Sequence, residues 1–245
     1  MYSQFAYYYD LIFPFREPTF QFLKKWLNGQ TKQQILDLGC GTGEYLTRFA
    51  QEGHKVVGID LNPQMLQVAR EKCPSGFWLE LNLTELERLP QKLPDQFQST
   101  FDLIFCTGNV LSYLSSNELK QTIRNIYKLL NPGGIWLFQI VNWEKILNAE
   151  TFQFPVIENK THQIRFLRNY ENLSATGAVF KTRLEKSGQI IFEEEQRLFA
   201  HRKDELQSLH LPEQFTTLGF FGDFKGTPFE EQKSGALIGV YKKVK

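Results

Sequence analysis

Between residues 34 and 141, short aliphatic runs alternate with amphipathic stretches, and this alternation limits the fold more than any other feature of the chain. Runs of four to eight Val, Ile, Leu and Phe read as buried strands, and a helical stretch after each makes a βαβ unit. Successive units build a parallel sheet with helices on both faces, an α/β fold. Strands are predicted at Gln34–Leu38, Lys55–Asp60, 77–82, Phe101–Cys106 and 134–141. Helices are predicted at Glu44–Gln51, at Pro63–Lys72, where Asn62 supplies a cap and Pro63 a first-turn proline, and at 116–130. In the last, Leu119, Ile123, Ile126, Tyr127 and Leu130 recur at helical spacing before Asn131-Pro132-Gly133-Gly134 stops it.

The flanks differ in texture. Residues 1–33 read as a helical cover, with Phe20, Leu23, Lys24 and Leu27 on one track and Asn28-Gly29 as its end. After Asn142, the stretches 163–171, 178–185 and 189–199 alternate apolar and polar residues between turn signals, the pattern of antiparallel strands. Ile164, Phe166, Ala178, Phe180, Ile190 and Phe192 are expected to share one face of that sheet, with Lys181, Arg183 and Glu193, Glu194 and Glu195 in solvent. A helix at 203–209 and strands at 216–224 and 235–242 complete the chain. The division expected is 1–33 as an N-terminal lid, 34–150 as a cofactor-binding core, 151–200 as a β insertion and 201–245 as completion of the core sheet.

Composition narrows the chemistry. Lys and Arg number 28 against 27 Asp and Glu, a net charge of +1, which argues against a polyanion partner such as nucleic acid. No apolar run approaches the roughly 20 residues of a bilayer span, and the start of the chain lacks a secretory pattern, so a cytoplasmic protein without membrane contact is expected. Cys40, Cys73 and Cys106 fit reduced thiols, and His54, His162, His201 and His210 show no ligand spacing, so no metal is expected.

The strand ILDL runs into Gly39-Cys40-Gly41-Thr42-Gly43 and then a helix, and Asp60 ends the next strand 21 residues after Gly39. Glycines there let a ligand reach the backbone, and an acid at that spacing suits ribose hydroxyls. The loop reads G-x-G-x-G followed by Glu44, where a pyrophosphate loop reads G-x-G-x-x-G. An acid at Glu44 would repel a pyrophosphate. A nucleoside with a sulfonium and an ammonium suits Asp37, Glu44 and Asp60 far better.

Four motifs in order, at 35–43, 56–65 (VVGIDLNPQM), 101–114 (FDLIFCTGNVLSYL) and 129–138 (LLNPGGIWLF), resemble those of class I S-adenosylmethionine-dependent methyltransferases. The small-molecule type is the most similar, including sugar-amine and glycine or sarcosine N-methyltransferases. The resemblance implies a Rossmann-like seven-stranded sheet, mostly parallel with the last strand antiparallel, and a small antiparallel lid between the fifth and sixth strands. It implies S-adenosylmethionine as cofactor and S-adenosylhomocysteine as product. Gly39, Cys40, Gly41, Thr42 and Gly43 would hold the methionine part, Asp60 the ribose, and Leu61, Met65, Asn82 and Leu83 the adenine. Asn82 stands where the family usually has Asp. Thr107, Gly108 and Asn109 would line the methyl-transfer site. Asp37 and Asp102 fall at positions that are often structural.

Positioning alone suffices for methyl transfer, so no covalent nucleophile is required. Tyr9, in the run Tyr7-Tyr8-Tyr9-Asp10 that resembles an N-terminal segment of such enzymes where a Tyr-Asp pair recurs, and Tyr113 resemble residues that face substrate, and His201 could serve as a base; packing competes for the two tyrosines, and a solvated place before a charged helix for His201. Arg165 and Arg168 could make an anion-binding face or a solvent face. The expected activity is methyl transfer to nitrogen or oxygen of a small molecule by a monomer or homodimer. A non-catalytic cofactor binder and a nicotinamide-dependent dehydrogenase are the rival readings.

Overall fold

The computed structural model describes residues 3–27 and 29–244. Asn28, half of the expected helix stop, lies outside them. In chain order the elements are α1 (Ser3–Ile12), α2 (Glu17–Lys24), β1 (Gln34–Leu38), α3 (Glu44–Gln51), β2 (Lys55–Asp60), α4 (Pro63–Lys72), β3 (Phe77–Glu80), α5 (Leu89–Lys92) and β4 (Phe101–Cys106). Then come α6 (Ser116–Leu129), β5 (Leu130–Val141), α7 (Trp143–Asn148), β6 (Ile157–Asn159), β7 (Ile164–Ser174), β8 (Gly177–Lys186), β9 (Gln189–Phe199), α8 (Lys203–Leu209), β10 (Phe215–Phe221) and β11 (Ala236–Lys243).

Seven strands form one sheet in the order β10-β11-β5-β4-β1-β2-β3. β1 to β5 pair in parallel, and β11 runs antiparallel to both its neighbours, β5 and β10. Alternate side chains of the buried strands feed two cores. Leu36, Leu38, Ile104, Cys106, Trp136 and Phe138 pack with Leu119, Ile123 and Ile126 of α6. On the other face Ile35, Leu103, Phe105 and Leu137 pack with Phe20 and Leu23 of α2, Leu46 and Phe49 of α3 and Leu66 of α4. α4 starts where its cap and proline place it, Asn62 accepting from the N–H groups of Gln64 and Met65. α6 carries a reciprocal capping box between Ser115 and Glu118. No helix among the described residues is long and apolar enough to cross a membrane.

The N-terminal cover is two helices, not one continuous helical run. Pro14, whose ring is incompatible with a helix interior, falls in the break at 13–16 between α1 and α2. β5 starts at Leu130, four residues before the expected strand, because Leu130 pairs with Phe101 ahead of the Pro-Gly-Gly turn.

The insertion is a separate sheet of four antiparallel strands, β6-β7-β8-β9. Ser187 and Gly188 both have positive φ in the two-residue turn between β8 and β9, the geometry a right-twisted hairpin requires. One end of its inner face, Ile164, Phe166, Leu184 and Phe192, packs on Ile12 of α1, with Phe5, Leu11 and Phe13 around it. Its other end delivers Ala178 and Leu198 into the main core. Two residues depart from the expected faces. A register shift after Leu184 turns Ile190 out to 52 % exposure, while Glu194 lies on the inner face between Phe192 and Leu198. The outer face carries crossed ion pairs: Arg165 with Glu158 and Glu185, Lys181 with Glu171 and Glu195, and Arg183 with Glu193.

Candidate active site

The turn after β1 fixes the site. Gly39, Gly41 and Gly43 have φ of +78°, +53° and +70°, a region that a Cβ disfavours. The N–H groups of Gly39 and Cys40 both donate to the Ile59 carbonyl, at 2.8 and 3.0 Å, tying the turn to β2. A Cβ at Gly39 would lie 2.7 Å from a Val110 methyl, and one at Gly43 would run into the Trp78 ring. At Gly41 it would meet the Tyr9 ring at 3.5 Å, so Tyr9 covers this glycine.

Asp60 faces the same turn. Its Oδ2 accepts the Gly41 N–H and its Oδ1 the Asn62 N–H, both at 2.8 Å. Burial pushes its carboxyl up and these N–H groups draw it back; each oxygen keeps a second lone pair for a ligand hydroxyl. Asp37, only 3 % exposed, has an Oδ1 without a partner. Burial and then the nearby Asp60 raise its carboxyl well above the usual range. A buried acid with an unpartnered oxygen beside another acid is an unfavourable arrangement that a cationic ligand relieves. Leu61 leaves 61 % of its surface exposed beside Asp60, whereas Met65 is buried. A nucleoside carrying positive charge fits this lining.

Cys40 is buried with its thiol pushed well up by desolvation, the state of an inert packing residue. Asn82 lies just beyond β3 and caps the short 3-10 turn Leu83–Arg88, its Oδ1 accepting the Thr84 N–H at 3.0 Å; Leu83 is buried. After β4, Gly108 is exposed with φ +77° and open space where a Cβ would stand. Its N–H donates to Gln139 Oε1 at 2.8 Å. Thr107 precedes it, half-buried. Asn109 has φ +69° and turns its side chain inward, Oδ1 accepting from Val141 N–H at 3.0 Å and Ser112 Oγ at 2.8 Å.

α1 is latched over this cleft. Asp10 Oδ1 accepts the Thr42 hydroxyl at 2.6 Å, Asp10 Oδ2 pairs with Lys72 at 2.5 Å, and Lys72 also pairs with Glu44 at 3.0 Å. Desolvation, Asp60 and Asp37 push the Tyr9 hydroxyl up, so it stays a donor. Tyr113, at the end of the 3-10 turn Val110–Tyr113, keeps 43 % of its surface exposed, yet its hydroxyl end is crowded. Desolvation, then Glu194 and Asp60, hold it at about 12. Desolvation and Tyr113 likewise raise Tyr170 of β7. Tyr113 therefore sits between the β1–β2 floor and the inner face of the second sheet, where the register aligns Arg168, Thr182 and Glu194 in one row. Arg168 stacks on Phe154 and donates to the Pro155 carbonyl at 3.1 Å, while Arg165 lies on the outer face.

His201 is 1 % exposed, its Nε2 2.8 Å from the Leu114 carbonyl and its Nδ1 3.2 Å from Glu205. Both nitrogens are engaged within the protein. No motif in the sequence assigns Asp10, Lys72, Gln139, Trp143, Tyr170 or Glu194 to the site. Only Asp10 had a sequence signal, the Tyr-Asp pair.

A family model described as a methyltransferase domain matches residues 35–134. A protein of Geobacillus sp. (strain WCH70) that carries the methyltransferase name is 30 % identical over 190 residues, 73 % of this chain and 72 % of its own. An S-adenosylmethionine-dependent methyltransferase from Clostridium acetobutylicum ATCC 824 superposes with a TM-score of 0.80 at 18 % identity, covering 100 % of this chain and 99 % of that one. A second solved structure, an amino pentose methyltransferase from Micromonospora echinaspora with S-adenosylmethionine bound, gives 0.64 at 17 % identity over 92 % and 90 %. The chain belongs to the S-adenosylmethionine-dependent methyltransferases, enzymes whose methyl donor is S-adenosylmethionine.

Proposed function

We propose that this chain methylates a small molecule at nitrogen, its acceptor lying between Tyr9, Tyr113 and the inner face of the second sheet. The observation that carries the reading is Glu194, a carboxylate placed on that inner face by its register with Thr182, its Oε1 accepting from Gln196 Nε2 at 2.8 Å, and its charge adding to desolvation in raising the Tyr113 hydroxyl. When bound, the cofactor supplies a methyl carbon activated by a sulfonium.

Gly39 to Gly43 would hold its methionine part, Asp60 its ribose, and Leu61, Met65, Asn82 and Leu83 its adenine, with Asp37 offsetting its positive charge. The remaining task is to align a lone pair and dispose of a proton. Glu194 would accept a hydrogen bond from an amine and take its proton, while Tyr9 and Tyr113, held protonated, would donate to the acceptor's other polar atoms. An alcohol oxygen needs a stronger base. The histidines are engaged elsewhere: His54 with the Gln33 N–H, His162 with Asn159, His210 with Trp136, and His201 with Leu114 and Glu205. The rings of Tyr170, Phe154, Phe152, Phe180 and Trp143 cluster beside Tyr113, which favours an acceptor with an apolar body or a cationic centre.

The test is a panel of amines, sugar amines, alcohols and carboxylates of matched shape, read by release of S-adenosylhomocysteine. Turnover confined to amines is expected. Turnover of alcohols in preference to amines would overturn the nitrogen assignment, and binding without turnover on any acceptor would favour a non-catalytic cofactor binder.

A further inference from the structure

His201, Glu205 and Ser116 form a connected polar set that the proposed methyl transfer does not use. His201 follows the end of β9, where the second sheet returns to the core and the Ala200 N–H donates to the Thr176 carbonyl at 3.1 Å. From there its Nε2 reaches the carbonyl of Leu114, 87 residues away in sequence, at 2.8 Å. Nδ1 lies 3.2 Å from Glu205 Oε2 on α8, and Glu205 Oε1 accepts the Ser116 hydroxyl at 2.8 Å. Neither acceptor has a proton to give, because a carbonyl and an ionised carboxylate only accept. The hydrogen bond from His201 in turn helps hold the Glu205 carboxyl below its usual range.

Leu114 closes the turn Val110–Tyr113. The start of that turn is held separately, by Asn109 and by Trp143, whose indole N–H donates to Ser112 Oγ at 3.2 Å. Tyr113 is thus suspended between two anchors, Asn109–Trp143 before it and His201 after it. A cavity of about 660 Å³ adjoins the His201 side, with Glu144, Asp204, Glu205 and Arg202 around it and Arg202 3.7 Å from Glu144.

We propose that His201 is a positioning residue: through the Leu114 carbonyl it sets the Val110–Tyr113 turn, and so Tyr113, against the cofactor cleft. This rests on the methyl-transfer reading and extends it. It also removes His201 from the part of general base, since both its nitrogens serve the fold.

Two near-isosteric variants separate the bonds. His201→Gln places an amide donor where Nε2 stands, facing Leu114; His201→Asn places one where Nδ1 stands, facing Glu205. The readouts are the Trp143 indole resonance of ¹⁵N-labelled protein, identified with Trp143→Phe, calorimetric binding of S-adenosylhomocysteine, and turnover on the amine panel. His201→Gln is expected to keep turnover within about threefold and leave the Trp143 resonance in place, whereas His201→Asn loses roughly tenfold or more in kcat and shifts that resonance. S-adenosylhomocysteine affinity should hold in both. Equal effects in the two variants, losses that merely follow the melting temperature, or full turnover in His201→Asn would overturn the assignment. If the wild-type protein failed to bind S-adenosylhomocysteine, the methyl-transfer reading would fall, and the Trp143 resonance would still decide whether His201 sets the turn.

Discussion

His210 makes folding stability depend on acid in a way that can be worked from its contacts. It is 4 % exposed, stacked on Tyr241 at 3.7 Å, with Nδ1 2.6 Å from the Leu206 carbonyl and Nε2 3.0 Å from the Trp136 indole nitrogen. The indole can only donate, so Nε2 must be bare and Nδ1 must carry the hydrogen: the site holds a neutral ring. Burial lowers its pKa from 6.5 to about 4, opposed in part by the Leu206 bond. A depressed folded-state value means that the unfolded chain takes up the proton first, so the contribution is complete above about pH 6.5 and is lost as the pH falls toward 4. At pH 5 the loss works out to roughly 2 kcal/mol, rising to about 3 kcal/mol below pH 4. Urea unfolding of wild type and His210→Gln at pH 7.5 and pH 5.0 isolates the effect, because other titrating groups cancel in the double difference. Wild type should lose roughly 2 kcal/mol more than the variant over that interval, a midpoint shift on the order of 0.5 M more. Parallel losses in the two proteins would show that His210 is not held neutral, and the reasoning from its tautomer would fail.

Three further outcomes concern the site. Asp60→Ala should weaken S-adenosylhomocysteine binding by roughly 1.5 to 3 kcal/mol, the range for hydrogen bonds to a charged group; unchanged calorimetric affinity would remove Asp60 from the cofactor site. Gly41→Val should abolish that binding while circular dichroism reports an intact fold, because a β-branched residue resists φ of +53° and its side chain would press on Tyr9. Normal binding would mean that the glycine turn does not receive the ligand. Phe166→Ala should destabilise by about 3 to 5 kcal/mol, and by loosening the shared layer of second sheet and α1 it should also raise the S-adenosylhomocysteine Kd. An unchanged Kd in the folded variant would separate α1 from cofactor retention.

The parallel half of the fold was legible because each strand there is an aliphatic run bounded by turn residues, and because Asn62-Pro63 marks a helix start through local chemistry alone. β9 and α8 kept their expected bounds for the same reason. β6 has only three residues and exists by pairing with β7, and α7 follows Asn142, whose side chain caps it while holding the Glu231 and Ser234 carbonyls. No local pattern announces either. The glycine turn and Asp60 could be read from spacing, and they meet in space through a direct hydrogen bond. Glu194 could not: within Glu193-Glu194-Glu195 its inward aim depends on strand register, set by Thr182 across the sheet. His201 looked like a solvated residue before a charged helix, and its burial comes from a carbonyl far away in the chain.

The Asp10 latch has a kinetic consequence. The Tyr9 ring lies over Gly41, and the bonds of Asp10 to Thr42 and Lys72 hold α1 and that ring in place, so a ligand bound at Gly41 requires the latch to open. Association then becomes a two-step process, a first-order opening followed by capture. The observed rate should rise with cofactor concentration and level off at the opening rate. Salt screens partly exposed ion pairs such as Asp10 with Lys72, so the plateau should climb with ionic strength even where the initial slope does not. In Asp10→Asn the plateau should move upward as well, leaving a binding reaction limited by encounter over a wider range of concentration.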